Sequence, residues 1–80
     1  MTHLILYSTA GCHLCEQAHE LVDRCLNELP ASVHGLQISD IAEHADLMER
    51  YGSLIPVLRN EMSGQEVNWP FDAAAVKSLL

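Results

Sequence analysis

The order of apolar and polar positions along the chain predicts a strand followed by a helix at its beginning. The apolar run LILY at positions 4–7 is short and continuous, as in a strand that is covered on both faces. From Cys12 to Glu28, apolar residues recur every three or four positions, which is typical of a helix with one buried face. Pro30 cannot continue that helix, so we expect the helix to end before this residue.

The middle of the chain predicts a second strand and a second helix. Positions 33–38 alternate weakly between apolar and polar residues, which favours a strand. Asp40 and Glu43 form the pattern of a capping box, in which an acidic cap residue is followed three positions later by Glu. We expect this pattern to open a helix that runs to Tyr51 and is ended by Gly52 in the left-handed conformation.

The end of the chain predicts an antiparallel hairpin and a third helix. Positions 55–59 and 65–69 are the two strands, and the turn residues at 60–64 connect them. Asp72 then caps a helix over positions 73–80, which are rich in helix-forming residues. The predicted order βαβαββα describes an α/β domain with a four-stranded mixed sheet and helices on both faces.

Composition and charge narrow the classes of protein to which this single domain, residues 1–80, can belong. Four lysines and arginines against eleven aspartates and glutamates give a net charge of −7, and the basic residues are scattered. The chain lacks the basic stripe that nucleic acid or an anionic membrane requires, so we expect it to bind neither. No apolar run reaches the length of a signal-peptide core or a membrane span, and we therefore expect a cytoplasmic protein.

The chemistry is concentrated in the motif Cys12-His13-Leu14-Cys15, at the junction between the predicted first strand and first helix. Unpaired backbone N–H groups and the helix dipole stabilise a thiolate at a helix start and lower the pKa of its thiol. Cys12 is the outer thiol and therefore the expected nucleophile, while Cys15, one turn inward, is placed to resolve a mixed disulfide on Cys12. A protonated His13 would lower the pKa of the Cys12 thiol further, whereas the negative charges of Glu16 and Glu20 would oppose this, which leaves the net shift of the pKa open.

Other uses of the cysteine pair have less support in the same residues. A structural zinc site needs four ligands, and the chain has no second Cys-x-x-Cys motif. Cys25 lies on the apolar stripe of the predicted helix, where we expect a small buried hydrophobic residue. We expect no metal site made by the protein alone. A metal or iron–sulfur carrier that uses the same thiolates, an inert pair and a non-catalytic peptide-binding adaptor stay open as alternatives.

Two stretches, LYSTAGCHLC at 6–15 and YGSLIPVL at 51–58, are similar to the corresponding stretches of the small glutaredoxin-like proteins of the thioredoxin-fold superfamily. The resemblance covers nearly the whole chain. It implies a thioredoxin-like fold and a glutaredoxin-like thiol–disulfide oxidoreductase. It also implies that Cys12 is the nucleophile, that Cys15 is the resolving thiol and that Pro56 is the cis-proline beside them.

The residues expected to bind substrate surround this cysteine pair. The resemblance implies that the carbonyl and amide of Ile55, which precedes the cis-proline, turn outward and pair with a substrate backbone as an added strand. His13 adjoins the nucleophile. Trp69 and Phe71 predict an apolar rim beside it, suited to a protein or a hydrophobic thiol. Arg50, at the end of the second predicted helix, is the remaining candidate contact for a glutathione carboxylate.

The residues that hold glutathione in that family are largely missing. No basic residue directly precedes the motif, and NWPF at 68–71 stands where the family has Gly-Gly. We therefore expect no bound cofactor, weak activity with glutathione as electron donor, and better reduction by a thioredoxin reductase-type system or a dithiol. The expected partners are a disulfide-containing protein or a small thiol as substrate and a reductase as electron donor. We expect the chain to be a monomer.

Overall fold

The computed structural model describes residues 2–30 and 34–80. These residues form β1 (Thr2–Ser8), α1 (His13–Asn27), β2 (His34–Asp40), α2 (Ala45–Tyr51), β3 (Val57–Asn60), β4 (Glu66–Asn68) and α3 (Ala73–Leu79). This is the order βαβαββα that the sequence predicts, and most element ends lie within two residues of the predicted ones. Val33, which the sequence places in the second strand, lies outside the described residues.

The strands form one mixed sheet in the order β2-β1-β3-β4. β1 is parallel to β2, with Leu6 opposite Ile38, and antiparallel to β3, with Tyr7 opposite Val57. β4 is antiparallel to β3, and Asn68 lies opposite Val57. The C-terminal ends of β1, β2 and β4 therefore share one end of the sheet with the N-terminal end of β3. The loop after β1 and the loop before β3 meet at that end.

Helices cover both faces of this sheet, as the sequence predicts. On one face, β1 and β3 pack against α1 and α3. The buried residues of this first core are Leu4, Leu6, Ala18, Val22, Cys25, Leu26, Leu58, Phe71, Val76 and Leu79. A second core lies on the opposite face, where Tyr7 and Val57 pack with Ile41 and Tyr51. Because alternate residues of a strand point to opposite faces, β1 contributes to both cores.

α1 and α3 each bury one stripe of their surface in the first core. The buried residues of α1 are Cys15, Ala18, Val22, Cys25 and Leu26, which follow the period that the sequence shows. Cys25 is 4% exposed, as its position on this stripe predicts. At the start of α3, Oδ1 of Asp72 accepts a hydrogen bond from the N–H of Ala75 at 2.9 Å, which confirms the predicted cap.

The second helix begins later than the sequence predicts. Ile41–Glu43 form a single 3-10 turn, and α2 starts at Ala45 after His44 has taken an extended conformation. Oδ1 of Asp40 accepts a hydrogen bond from the N–H of Ala42 at 2.9 Å. Asp40 therefore caps the 3-10 turn, and the expectation that it opens one continuous helix is wrong.

The end of α2 also differs from the prediction. Gly52 has a φ of −51°, in the right-handed region, so the predicted left-handed cap is wrong. Its N–H donates to the carbonyl of Met48 at 2.9 Å, and a Cβ at position 52 would collide with that same carbonyl oxygen. Glycine is needed here for space. None of the helices within the described ranges is both long and apolar enough to cross a membrane.

Candidate redox site

The turn between β1 and α1 places Cys12 at the start of the helix. β1 ends at Ser8, and Gly11 then takes a φ of +77°. A residue with a Cβ would be strained in that left-handed conformation, so this turn depends on glycine. Cys12 follows as the cap residue of α1, with an extended backbone (φ −89°, ψ 105°).

Cys12 and Cys15 form a disulfide across the first turn of α1. Their Cα atoms are 5.2 Å apart, within the normal range for disulfides. The N–H of Cys15 donates to Sγ of Cys12 at 3.1 Å, so this sulfur is also the side-chain cap of the helix. Cys12 is partly exposed whereas Cys15 is 4% exposed, and an incoming molecule therefore reaches the sulfur of Cys12 first.

A cavity of about 150 Å³, the disulfide cavity, opens beside the two cysteines. Its lining consists of Leu6, Ser8, Thr9, Ala10, Gly11, Cys12, Cys15, Glu16, His19 and Ile38. The sequence does not single out His19 or Ile38. His19 follows Cys15 by one helical turn on the same face of α1, a spacing that could have indicated it. Ile38 comes to the cavity through the pairing of β2 with β1, which no local pattern reveals.

Glu16 and His19 are the two lining residues of the disulfide cavity with an acidic or imidazole side chain. Oε2 of Glu16 lies 3.6 Å from Nδ1 of His13, and both side chains are so exposed that water screens their attraction. Nε2 of His19 lies 3.3 Å from Oδ2 of Asp23. Among the described lining residues there is no lysine or arginine. Residues 2–30 and 34–80 also contain no group of three or more His, Cys, Asp or Glu side chains that could hold a metal ion.

The five residues that the sequence predicts for substrate binding lie outside the lining of the disulfide cavity. They are His13, Arg50, Ile55, Pro56 and Trp69. His13 stands between the two cysteines with 91% of its side chain exposed. Trp69 and Pro56 are neighbours, because the N–H of Trp69 donates to the carbonyl of Pro56 at 3.1 Å. Strand pairing puts both residues at the end of the sheet where β1 leads into Cys12.

The segment before β3 corrects one expectation about substrate binding. The Ile55–Pro56 peptide bond is cis, as is Trp69–Pro70, and Pro56 is buried. The N–H of Ile55 donates to the carbonyl of Tyr51 at 3.1 Å. This amide therefore closes the turn after α2 and does not point outward to a substrate backbone. The same turn delays β3, which begins at position 57 where the sequence predicts position 55.

The aromatic residues after β4 do not form the predicted rim. Phe71 is 8% exposed and belongs to the first core, so its expected place in an exposed rim is wrong. Trp69 is half-buried and packs edge-to-face on Phe71, with ring centroids 5.1 Å apart. Phe71 points inward because the segment that leads into α3 covers this end of the first core. Arg50 is exposed, with Cζ 5.4 Å from the ring centroid of Tyr51, and it lies beside the second core.

A second polar cluster, the Tyr51 network, consists of Tyr51, Arg59 and Glu66. The Tyr51 hydroxyl and Nη1 of Arg59 both donate to Oε2 of Glu66, the second at 3.0 Å. Partial burial alone would raise the pKa of Glu66, but these hydrogen bonds and the charge of Arg59 outweigh it, and the pKa is lowered from 4.5. Burial and the hydrogen bond to Glu66 raise the pKa of Tyr51. The network joins α2 to the β3–β4 hairpin.

The fold and the cysteine pair together define a small thioredoxin-like protein. Residues 3–80 match the family described as Glutaredoxin-like domain (DUF836), and the chain belongs to this family. The match takes in every described element from β1 to α3 and includes the cysteine pair. Among curated proteins, none matches the chain.

Two solved structures of the Northeast Structural Genomics target protein XcR50 from X. campestris are similar to this chain. The X-ray structure is 36% identical with a TM-score of 0.76, over 94% of this chain and 91% of that one. The solution structure is 37% identical with a TM-score of 0.69, over 98% of this chain and 90% of that one. Because both likenesses extend over nearly all of both chains, they support the thioredoxin-like fold as a whole.

Proposed function

We propose that the chain is a thiol–disulfide oxidoreductase, with Cys12 as the nucleophile and Cys15 as the resolving thiol. The observation that carries this proposal is the unequal exposure of the two cysteines at the start of α1, where Cys12 is partly exposed and Cys15 is 4% exposed. A helix start favours a thiolate through its unpaired N–H groups and its dipole. The N–H of Cys15, 3.1 Å from Sγ of Cys12, is one such donor. Membership of the glutaredoxin-like family supports the same chemistry.

The reaction begins with the reduced protein. The Cys12 thiolate attacks one sulfur of a disulfide R–S–S–R. An S–S bond forms between Sγ of Cys12 and that sulfur, the S–S bond of the substrate breaks, and the other half leaves as RS⁻. Cys15 then attacks the Cys12 sulfur and displaces the second RS⁻. Each departing RS⁻ takes up one of the two protons that the cysteine thiols lose. Two electrons pass to the substrate, so the substrate disulfide becomes two thiols while the protein dithiol becomes the Cys12–Cys15 disulfide.

An electron donor has to reduce the Cys12–Cys15 disulfide again before the next cycle. Glutathione carries two carboxylates, which need donors or positive charge where they bind. The described lining of the disulfide cavity offers no lysine or arginine, and Arg50 lies beside the ring of Tyr51. We infer that a thioredoxin reductase-type system or a dithiol is the better donor. We also propose that the protein works as a cytoplasmic monomer without a bound cofactor, on disulfide-containing proteins or small thiols.

Single-turnover oxidation of the reduced protein by hydroxyethyl disulfide, which is small and uncharged, tests this function. The wild-type protein should be converted to the intramolecular Cys12–Cys15 disulfide, and mass mapping after alkylation identifies the bond. Cys12→Ser should abolish the conversion because the accessible nucleophile is gone. Cys15→Ser should stop at a mixed disulfide on Cys12, since no second thiol resolves it.

Cys25→Ala is the matched control, because it removes a cysteine that is buried in the first core. This variant should be oxidised at the wild-type rate. An adduct on Cys15 in the Cys12→Ser protein, formed at the rate of the wild type, would contradict the assignment of the two roles. A wild-type protein that stays reduced would contradict the oxidoreductase and favour the non-catalytic adaptor.

A further inference from the structure

The disulfide cavity has one acidic side chain, Glu16, and one histidine, His19, but no lysine or arginine among its described lining residues. We propose that this cavity selects disulfides with a positively charged arm, that is, an ammonium or guanidinium group close to the S–S bond, and that Glu16 determines this specificity. The inference rests on the proposed oxidoreductase function and adds the class of substrate to it.

The size of the disulfide cavity limits what it can hold. Pockets that enclose whole small molecules usually measure about 300–1,000 Å³. The disulfide cavity measures about 150 Å³, which suits a group the size of one amino-acid side chain. One arm of a bound disulfide therefore enters this cavity while the other arm stays in solvent. A tripeptide such as glutathione is too large to be enclosed there.

The walls of the cavity match an alkyl stem with a polar head. Leu6 and Ile38 supply apolar surface, and Ile38 keeps 44% of its surface exposed. Ser8, at the end of β1, and Thr9, which follows it, add residues with hydroxyl groups to the lining. A lysine-like arm can lay its methylene groups on such an apolar wall and keep its charged end near water and an acceptor.

Glu16 supplies that acceptor. It follows Cys15 directly, and its N–H donates to the carbonyl of Cys12 at 3.1 Å, which fixes its backbone within the first turn of α1. Its side chain is 74% exposed, so a bound arm can approach the carboxylate from solvent. The other titratable groups that face this region are His13, which neighbours Glu16, and His19, which neighbours Asp23.

The lysines and arginines of the chain lie outside the lining of the disulfide cavity, and Arg50 lies beside the ring of Tyr51. Arg59 is paired with Glu66 at 3.0 Å, and Lys77 is paired with Glu28 at 3.1 Å. Arg24 lies in the last turn of α1, at the far end from the cysteines. An anionic arm in the disulfide cavity therefore meets a carboxylate without a lysine or arginine to offset it, whereas a cationic arm meets an attractive partner.

Coulomb's law gives the expected effect of the Glu16 charge on the rates at which charged disulfides react. For two unit charges at a separation of roughly 6 Å and an effective dielectric constant of about 40 to 80, the attraction corresponds to about a three- to tenfold change in rate. The opposite sign applies to an anionic arm. The ratio of rates for a cationic and an anionic disulfide of equal size should therefore exceed about tenfold.

Three disulfides of nearly equal size test the inference: cystamine (cationic), hydroxyethyl disulfide (neutral) and dithiodipropionate (anionic). The reduced protein is oxidised by each in a single turnover at low salt and pH 8, above the range in which imidazole ordinarily carries a proton. Each rate is divided by the rate of mercaptoethanol with the same disulfide, which removes differences in intrinsic reactivity. Glu16→Gln removes both the attraction and the repulsion, so it should lower the normalised cystamine-to-dithiodipropionate ratio by about tenfold or more.

Glu20→Gln is the matched control, because it removes the same charge from an exposed position of α1 outside the cavity lining. Its ratio should fall clearly less than that of Glu16→Gln, since position 20 lies one helical turn farther along α1 and Coulomb interactions weaken with distance. An equal fall in both variants would overturn the assignment to Glu16. A wild-type ratio near that of mercaptoethanol, with hydroxyethyl disulfide still reacting, would overturn the selectivity and leave the oxidoreductase standing. No reaction with any of the three would overturn the oxidoreductase itself.

Discussion

At the start of α1 the polar side chains face water, whereas those of the Tyr51 network are partly or fully buried. His13 and Glu16 have 91% and 74% of their side chains exposed. Tyr51 is 2% exposed, and its hydroxyl shares one oxygen of Glu66 with the guanidinium of Arg59. The first region contains the Cys12–Cys15 disulfide, and the second joins α2 to the β3–β4 hairpin. Substitutions in the first should therefore change reactivity with little effect on stability, and substitutions in the second should do the reverse.

Tyr51→Phe should give the largest change in stability. The substitution removes the hydroxyl that donates to the Glu66 carboxylate, and a hydrogen bond to a charged group contributes about 1.5–3 kcal/mol. We expect the free energy of unfolding, measured by urea denaturation, to fall by about 1.5–3 kcal/mol. The rate at which hydroxyethyl disulfide oxidises the reduced protein should not change.

Tyr7→Phe is the control for this variant. The rings of Tyr7 and Tyr51 are stacked with centroids 4.4 Å apart, and this contact does not need the hydroxyl of Tyr7. Tyr7→Phe should therefore lower the free energy of unfolding by less than Tyr51→Phe does. A loss of oxidation in folded Tyr51→Phe as complete as in the Cys12 variant would show that the two regions are not separate.

Cys25→Ala should have an intermediate effect. Cys25 is 4% exposed in the first core, so removing its sulfur leaves a small void and should lower the free energy of unfolding by about 1 kcal/mol. Cys25→Ser should cost more, because a hydroxyl has to be buried in apolar surroundings. Urea denaturation measures both, and the oxidation rate should be that of the wild type. Loss of turnover in a folded Cys25→Ala protein would make Cys25 a third redox residue.

The acid dependence of stability should show the smallest effect. The pKa of Glu66 is lowered from 4.5 in the folded protein, so the carboxylate contributes stability that is fully present above that pH. The contribution is lost as the pH falls through the lower pKa of the folded state. Between about pH 5 and about pH 3 the wild type should therefore lose more unfolding free energy than Glu66→Gln does. Parallel curves of unfolding free energy against pH for the two proteins would mean that the network does not lower the pKa of Glu66.

The order of the elements could be predicted because the buried residues of each element lie within one stretch of sequence and recur with the period of a helix or a strand. In α1 the apolar period alone indicated the face that meets the first core. The prediction failed around α2, where Asp40 and Gly52 carry signals that neighbouring backbone groups override. The carboxylate of Asp40 accepts a hydrogen bond from the nearby N–H of Ala42. At position 52 a glycine is required because a Cβ would collide with the Met48 carbonyl. Such contacts become visible only when the backbone path is known.

The candidate site was predictable only where its residues are local. Cys12 and Cys15 are three positions apart, so their spacing and the helix period sufficed. Ile38 reaches the disulfide cavity through the parallel pairing of β2 with β1, and Glu66 reaches Tyr51 through the folding of the β3–β4 hairpin over the second core. Contacts between distant segments, whether polar or apolar, leave no periodic pattern in the sequence. The cysteine motif could therefore be predicted from the sequence, while the residues that distant segments add to the lining of the disulfide cavity could not.

The unequal burial of the two sulfurs also sets the kinetic mechanism under the proposed function. Since Cys15 is 4% exposed, both half-reactions must take place at the sulfur of Cys12: this sulfur attacks the incoming disulfide in the first, and the reductant attacks it in the second. By microscopic reversibility, each half-reaction passes through a mixed disulfide on that atom. Oxidant and reductant therefore compete for one sulfur and cannot react together. The steady-state pattern for the two should be ping-pong, with parallel lines in double-reciprocal plots.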